Sequence, residues 1–156
     1  MICNIVQGTV ADDAPGVDWV DLTWQQTLRR ALRLVTRGGQ KIDVLLPRGV
    51  RLRHGDLLHA GPPGIAACVE RIDVLAISCA DATALARIAF DLGNRHIAAQ
   101  IVDGHILTPD DGPARTVAAE HGAAVELQSA RFWPERVTLE GPFAGATSSP
   151  SPSGGD

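Results

Sequence analysis

The side chains in this sequence that could do chemistry are few and scattered. There are five histidines, three cysteines and 18 acidic residues. His96 stands out because it sits just past a helix stop signal at Gly93-Asn94. A neutral imidazole is a suitable donor for nickel, copper or zinc. Taken alone, a single loop histidine is ordinarily a surface or capping residue, and one imidazole does not hold a divalent ion tightly. A two-fold dimer would supply a second His96, because an isologous interface brings the same residue from both copies to the axis. Two imidazoles with water or mobile groups make an open, exchangeable site, as a carrier needs; a structural metal site is closed by four ligands. Affinity should fall with pH, because protons compete for the imidazole nitrogen. Asp110 and Asp111 could add oxygen donors, although carboxylates just before a helix are ordinarily solvated or complement its dipole. His105 is a further candidate that, like His121, reads as an exposed structural residue. His54 and His59 carry no metal signal.

Cys3, Cys68 and Cys79 are odd in number and form no C-x-x-C pair, so neither a zinc knuckle nor a redox motif is indicated. Cys79 reads as a buried, inert thiol. Cys79 with His96 is the one pair from which a Cys–His hydrolase could be imagined. No G-x-S-x-G, H-E-x-x-H, P-loop or dinucleotide fingerprint is present, so the chain reads as a binding protein and not an enzyme.

The element that must position His96 is the helix written DATALARIAFDLGNRH, Asp81 to His96. Asp81 can cap the first turn. Leu85, Ile88, Ala89 and Leu92 repeat with the helical period and form one apolar face. Gly93 suits the left-handed position after the last turn. Arg95 and Asn94 then either shape the exit or orient His96.

The flanking segments alternate strand and helix. Strands are expected at Val74 to Cys79, Ile97 to Val102, His105 to Thr108 and Ala123 to Leu127, with a hairpin turn at Asp103-Gly104. Pro113 to His121 reads as a second helix, with proline in its first turn and Gly122 after it. The order βαββαβ is the ferredoxin-like arrangement.

Residues 1 to 72 read as β. Strands are expected at Cys3 to Val10, Val17 to Leu22, Lys41 to Leu46, Val50 to Leu52, Leu57 to Ala60 and Ile65 to Ile72. TWQQTLRRALRLV fits both a helix and a strand. The Gly38-Gly39 pair that follows it favours a hairpin. The fold class is thus α+β: a small all-β domain at 1–72, a ferredoxin-like domain at 73–143, and a disordered Gly/Ser/Pro-rich tail at 144–156. Val137 to Phe143 and Phe132-Trp133-Pro134 are expected to pack back onto a domain.

The net charge of −4 argues against non-specific nucleic-acid binding. The start has no basic, then apolar, leader pattern, and no run is long enough for a membrane span. The chain reads as cytoplasmic. Two small cores would each be marginal, which makes association plausible as a source of extra burial.

Two separated motifs carry a family resemblance. Gly93-Asn94-Arg95-His96 after an alanine-rich helix, and Leu45 to Leu58 (LLPRGVRLRHGDLL) upstream, resemble the urease accessory protein E (UreE) family of nickel metallochaperones. The match runs from roughly Leu22 to Val125. It implies a strand in the ambiguous segment and a metal role for His96 at a homodimer interface. It also implies Ni(II) as cargo (with zinc or copper as competitors in vitro), and an accessory GTPase and apo-urease as partners. Some members carry further histidines before the second helix, where this chain has Asp111. Many end in a histidine-rich tail, but this chain has no histidine after His121. An alternative of another class is a protein-interaction module that binds a peptide along an exposed strand edge of the β domain.

Overall fold

A computed structural model of the protein describes residues 1–135. The segment 137–143, expected to pack back onto a domain, and the tail at 144–156 lie outside the described residues.

The first part contains two three-stranded sheets around one core. One sheet has the order β1(Ile2–Cys3), β4(Lys41–Leu45), β3(Ala31–Val35); the other has β2(Val17–Leu22), β6(Gly64–Val69), β5(Leu57–His59). In β3 and β4 exposed and buried residues alternate strictly, as half-buried strands require. The inward set, Leu32, Leu34, Ile42 and Val44, meets Val20, Leu22, Leu52, Leu58 and Ile65 in one cluster.

Three local expectations need correction. Trp24–Thr27 forms a single helical turn, α1, before the strand begins. Thr23 and Gln26 make a reciprocal capping box: Thr23 N–H donates to Gln26 Oε1 at 2.8 Å and Gln26 N–H to Thr23 Oγ1 at 3.2 Å. Those bonds pull the backbone out of extended geometry. Cys3 to Val10 is not one strand: β1 ends at Cys3, and Thr9 makes an isolated bridge to Asp56. Val50 to Leu52 pairs with no strand among the described residues. Its carbonyl at Leu52 accepts from the Trp133 indole instead, at 3.1 Å.

The second part is the ferredoxin-like unit. Its elements are β7(Ile72–Ser78), α2(Ala82–Asn94), β8(Gln100–Val102), β9(His105–Pro109), α3(Gly112–Glu120) and β10(Ala124–Ala130). The sheet order is β10-β7-β9-β8, antiparallel throughout. Leu75 and Ile77 on β7 and Ile106 on β9 meet Ile88 and Leu92 of α2, and Ala114, Val117 and Ala118 of α3. Asp103 (φ 46°) and Gly104 (φ 76°) make the expected β8–β9 turn.

After β10 the chain crosses back between the two parts. Phe132 is fully buried and meets Trp24 edge-on, with ring centroids 5.1 Å apart. The Trp133 ring lies 3.9 Å from the guanidinium carbons of both Arg51 and Arg53. Arg51 also donates to Pro134 O at 2.8 Å. Arg131 donates to Val69 O at 3.2 Å and to Asp12 Oδ2 at 3.0 Å. On the other side, Trp133 N–H donates to Gln100 Oε1 at 2.9 Å and Glu135 N–H to Ala99 O at 2.7 Å. This run therefore works as a strap fastened to both domains.

Candidate metal centre

Helix α2 begins where expected. The Asp81 carboxylate accepts from Ala84 N–H at 2.8 Å. Its end differs from expectation. Gly93 and Asn94 remain helical, Arg95 is the C-cap, and His96 takes the left-handed residue at φ 56°. His96 N–H donates to Gly93 O at 3.1 Å, and Ile97 N–H reaches back to Leu92 O at 2.9 Å. These two bonds define a Schellman closure with histidine at the position glycine usually holds. The apolar contact that accompanies such a closure decides its place. Leu92 and Ile97 belong to the same core cluster. A stop at Gly93 would have put Asn94 where that apolar residue is needed.

Left-handed backbone costs a non-glycine residue about 1–2 kcal/mol. A left-handed histidine is therefore an observed strain, of the kind that gathers at functional sites. The backbone turn leaves the His96 side chain exposed. His96 lines a depression of about 280 Å³ with Ala89, Ile97, Ala98, Ala99, Ile101 and Glu135. Its apolar rim is open, with Ile101 55% exposed.

The residue before His96 is fixed by charge. Arg95 donates to Asp91 Oδ1 at 2.9 Å and Oδ2 at 3.2 Å, and to Glu120 Oε2 at 2.6 Å. His121 Nε2 lies 3.1 Å from Asp91 Oδ2. The Arg95 guanidinium, helped by His121, holds the Asp91 carboxyl below the usual carboxylate range. The cluster locks the end of α2 to the end of α3. Arg95 thus has a structural task, and its side chain is turned to the two carboxylates.

The other sequence candidates are engaged elsewhere. Asp111 caps α3 by accepting from Ala114 N–H at 2.9 Å. Asp110 holds Arg115 through contacts of 2.6 and 2.9 Å. His105 Nδ1 contacts Asp103 O at 3.0 Å. His54 bridges Asp12, at 2.6 Å, and Val69 N–H, at 3.2 Å, and stacks on Trp19. Because its Nδ1 accepts from an amide, the proton sits on Nε2 and points at Asp12. Cys79 packs against the ferredoxin-like core. Among the described residues no group of three or more histidine, cysteine or acidic side chains could enclose a metal within one copy. Glu135 was missed in the sequence. It lies far from His96 along the chain, and only the return of the strap brings them to one depression.

Comparison with known proteins agrees with this architecture. The family model described as UreE urease accessory protein, N-terminal domain, matches residues 4–69, and that for the C-terminal domain matches residues 72–153. A urease accessory protein UreE from Ectopseudomonas mendocina is 31% identical over 88% of this chain and 84% of its own. One from Azotobacter vinelandii is 35% identical over 78% of this chain and 75% of its own. One from Pseudomonas fluorescens is 34% identical over 77% and 74%.

Proposed function

The chain belongs to the UreE urease accessory protein family, and from that membership we propose that it is a nickel metallochaperone in the cytoplasm. It acts as a homodimer that holds Ni(II) as cargo between two His96 side chains. Through an accessory GTPase it passes the ion to apo-urease. Residues 73–143 carry the metal and the dimer contact, and residues 1–72 offer the surface for maturation partners.

The observation that carries this reading is His96 itself: an exposed imidazole on strained backbone, inside an open apolar rim. The apolar rim supplies surface for a second copy to cover. A second copy brings the second imidazole that one protomer lacks. The donors suit a borderline divalent ion, and the small number of protein ligands keeps it exchangeable. Affinity order alone would favour copper, so nickel selectivity comes from supply and from docking.

Nickel titration with solution mass measurement tests the proposal. The wild-type chain should bind about one ion per dimer. His96→Ala should lose that ion and keep the fold. A chain that stays monomeric with and without nickel, or a His96→Ala variant that binds as well as wild type, overturns it.

A second reading has one observation in its favour. Among the described residues strand β3 lies at an edge of its sheet, and the outer face there exposes Ile2, Val35 and Leu45. That surface fits an added strand from a protein partner. If this were the main role, deleting nickel binding would leave urease maturation unchanged.

A further inference from the structure

We propose that Glu135 is a second protein donor to the divalent transition ion, so that each protomer offers one imidazole and one carboxylate to it. The proposal rests on the His96 reading above and adds to it a residue that family membership does not assign.

Three observations carry it. The first is place. Glu135 and His96 line the same depression, although one comes from the strap and the other from the end of α2. The second is mounting. The Glu135 backbone is tied to Ala99 O at 2.7 Å, and two residues earlier Trp133 is tied to Gln100, Leu52 and the two arginines. The carboxylate therefore projects from a fixed point. The third is what the carboxylate does otherwise. Asp91 and Glu120 share Arg95, Asp110 holds Arg115, and Asp111 caps a helix. Glu135 has no cation partner among the described residues. Its Oε1 faces Ile101 N–H at 3.4 Å, longer than an ordinary N–H···O bond of about 2.7–3.2 Å. An exposed, loosely held anion beside an exposed imidazole is a half-site for a cation.

The chemistry is consistent with the cargo. Two copies give two nitrogens and two oxygens, and an N,O donor set suits Ni(II) and Cu(II) better than the sulfur-rich sets typical of structural zinc. Two carboxylates also neutralise the charge of the ion, which two neutral imidazoles do not.

Glu135 has a competing structural role, since the same oxygen faces the Ile101 amide of β8. Glu135→Gln separates the two roles: the amide oxygen can still accept from Ile101, but the anion is gone. Full-length wild type, Glu135→Gln and His96→Ala are titrated with nickel chloride by calorimetry. Infrared difference spectra are recorded with and without the ion. The expected result is at least about tenfold weaker nickel binding for Glu135→Gln at an unchanged melting temperature. A carboxylate band that shifts on nickel addition in wild type should be missing in the variant. If Glu135→Gln binds nickel like wild type and the shifting band persists, while His96→Ala loses the ion, this inference fails and the His96 reading stands. If His96→Ala keeps wild-type binding, both fail together.

Discussion

His96 occupies the same point at the exit of α2 that Gly122 occupies at the exit of α3. Both residues are left-handed, at φ 56° and φ 61°. In both, the amide of that residue bonds back to the carbonyl three residues earlier, Gly93 and Ala119. In both, the next amide reaches five residues back, Ile97 to Leu92 and Ala123 to Ala118. One fold thus closes two helices in the same way, once with the residue that favours the geometry and once with a residue that resists it.

The comparison gives a reciprocal prediction. His96→Gly relieves the strained backbone and should raise stability by about 1 kcal/mol, offset in part by the freer unfolded chain. The same variant should lose nickel. Gly122→Ala should lower stability by about 1–2 kcal/mol through backbone alone, since its added carbon meets nothing within 4 Å, and should leave nickel binding intact. Urea melts paired with nickel titrations check both. Destabilisation by His96→Gly would show that the imidazole makes a folding contact instead.

Asp111 separates capping from ligation. Asp111→Ala removes an N-cap and should cost about 1 kcal/mol, within a range of roughly 0.5–2. Nickel affinity should not move, because that carboxylate already serves the Ala114 amide. Asp111→Asn, which can still cap, should recover the stability. A drop in nickel affinity in both variants would return Asp111 to the ligand set.

Phe132 tests the strap. Its side chain is fully buried against Trp24, so Phe132→Ala should cost about 3–5 kcal/mol. The larger consequence should be a loss of coupling. Denaturation followed separately by tryptophan fluorescence and by amide exchange in α2 should coincide in wild type and diverge in the variant. Coincident transitions in Phe132→Ala would mean that other contacts join the domains.

Asp91 sets an acid limit on the α2–α3 junction. Its carboxyl is held below the usual range, first by Arg95 and then by His121. The folded value lies under the unfolded one of about 3.9, so the linked stability is fully present above that unfolded value. It is lost as pH falls through the lower folded value. The stability gap between wild type and Asp91→Asn should therefore hold down to about pH 4 and close below it. A gap that survives in strong acid would point to shape and not charge.

Much of this was readable in advance, for reasons that differ by residue. The Leu85, Ile88, Ala89, Leu92 stripe found its core because period and burial agree. The Asp81 cap and the Asp103-Gly104 turn are local chemistry, decided within a few residues. At the end of α2 glycine propensity points to Gly93, while the Leu92–Ile97 contact chooses a later stop. The α1 turn was written in the Thr23-x-x-Gln26 spacing but is short enough to be overlooked beside a strand pattern. Glu135 had no local signal at all. Its place beside His96 depends on a strap anchored by Phe132 and Trp133, and such long-range returns leave no period in a sequence.

The strap has a mechanical consequence. A run of chain stitched to Leu52 and Val69 on one side and to Ala99 and Gln100 on the other works like a splint across a joint. Whatever grips the β domain also sets the angle at which residue 96 is offered. Hand-over of an ion would then be aimed by the holder's grasp, without a swinging arm.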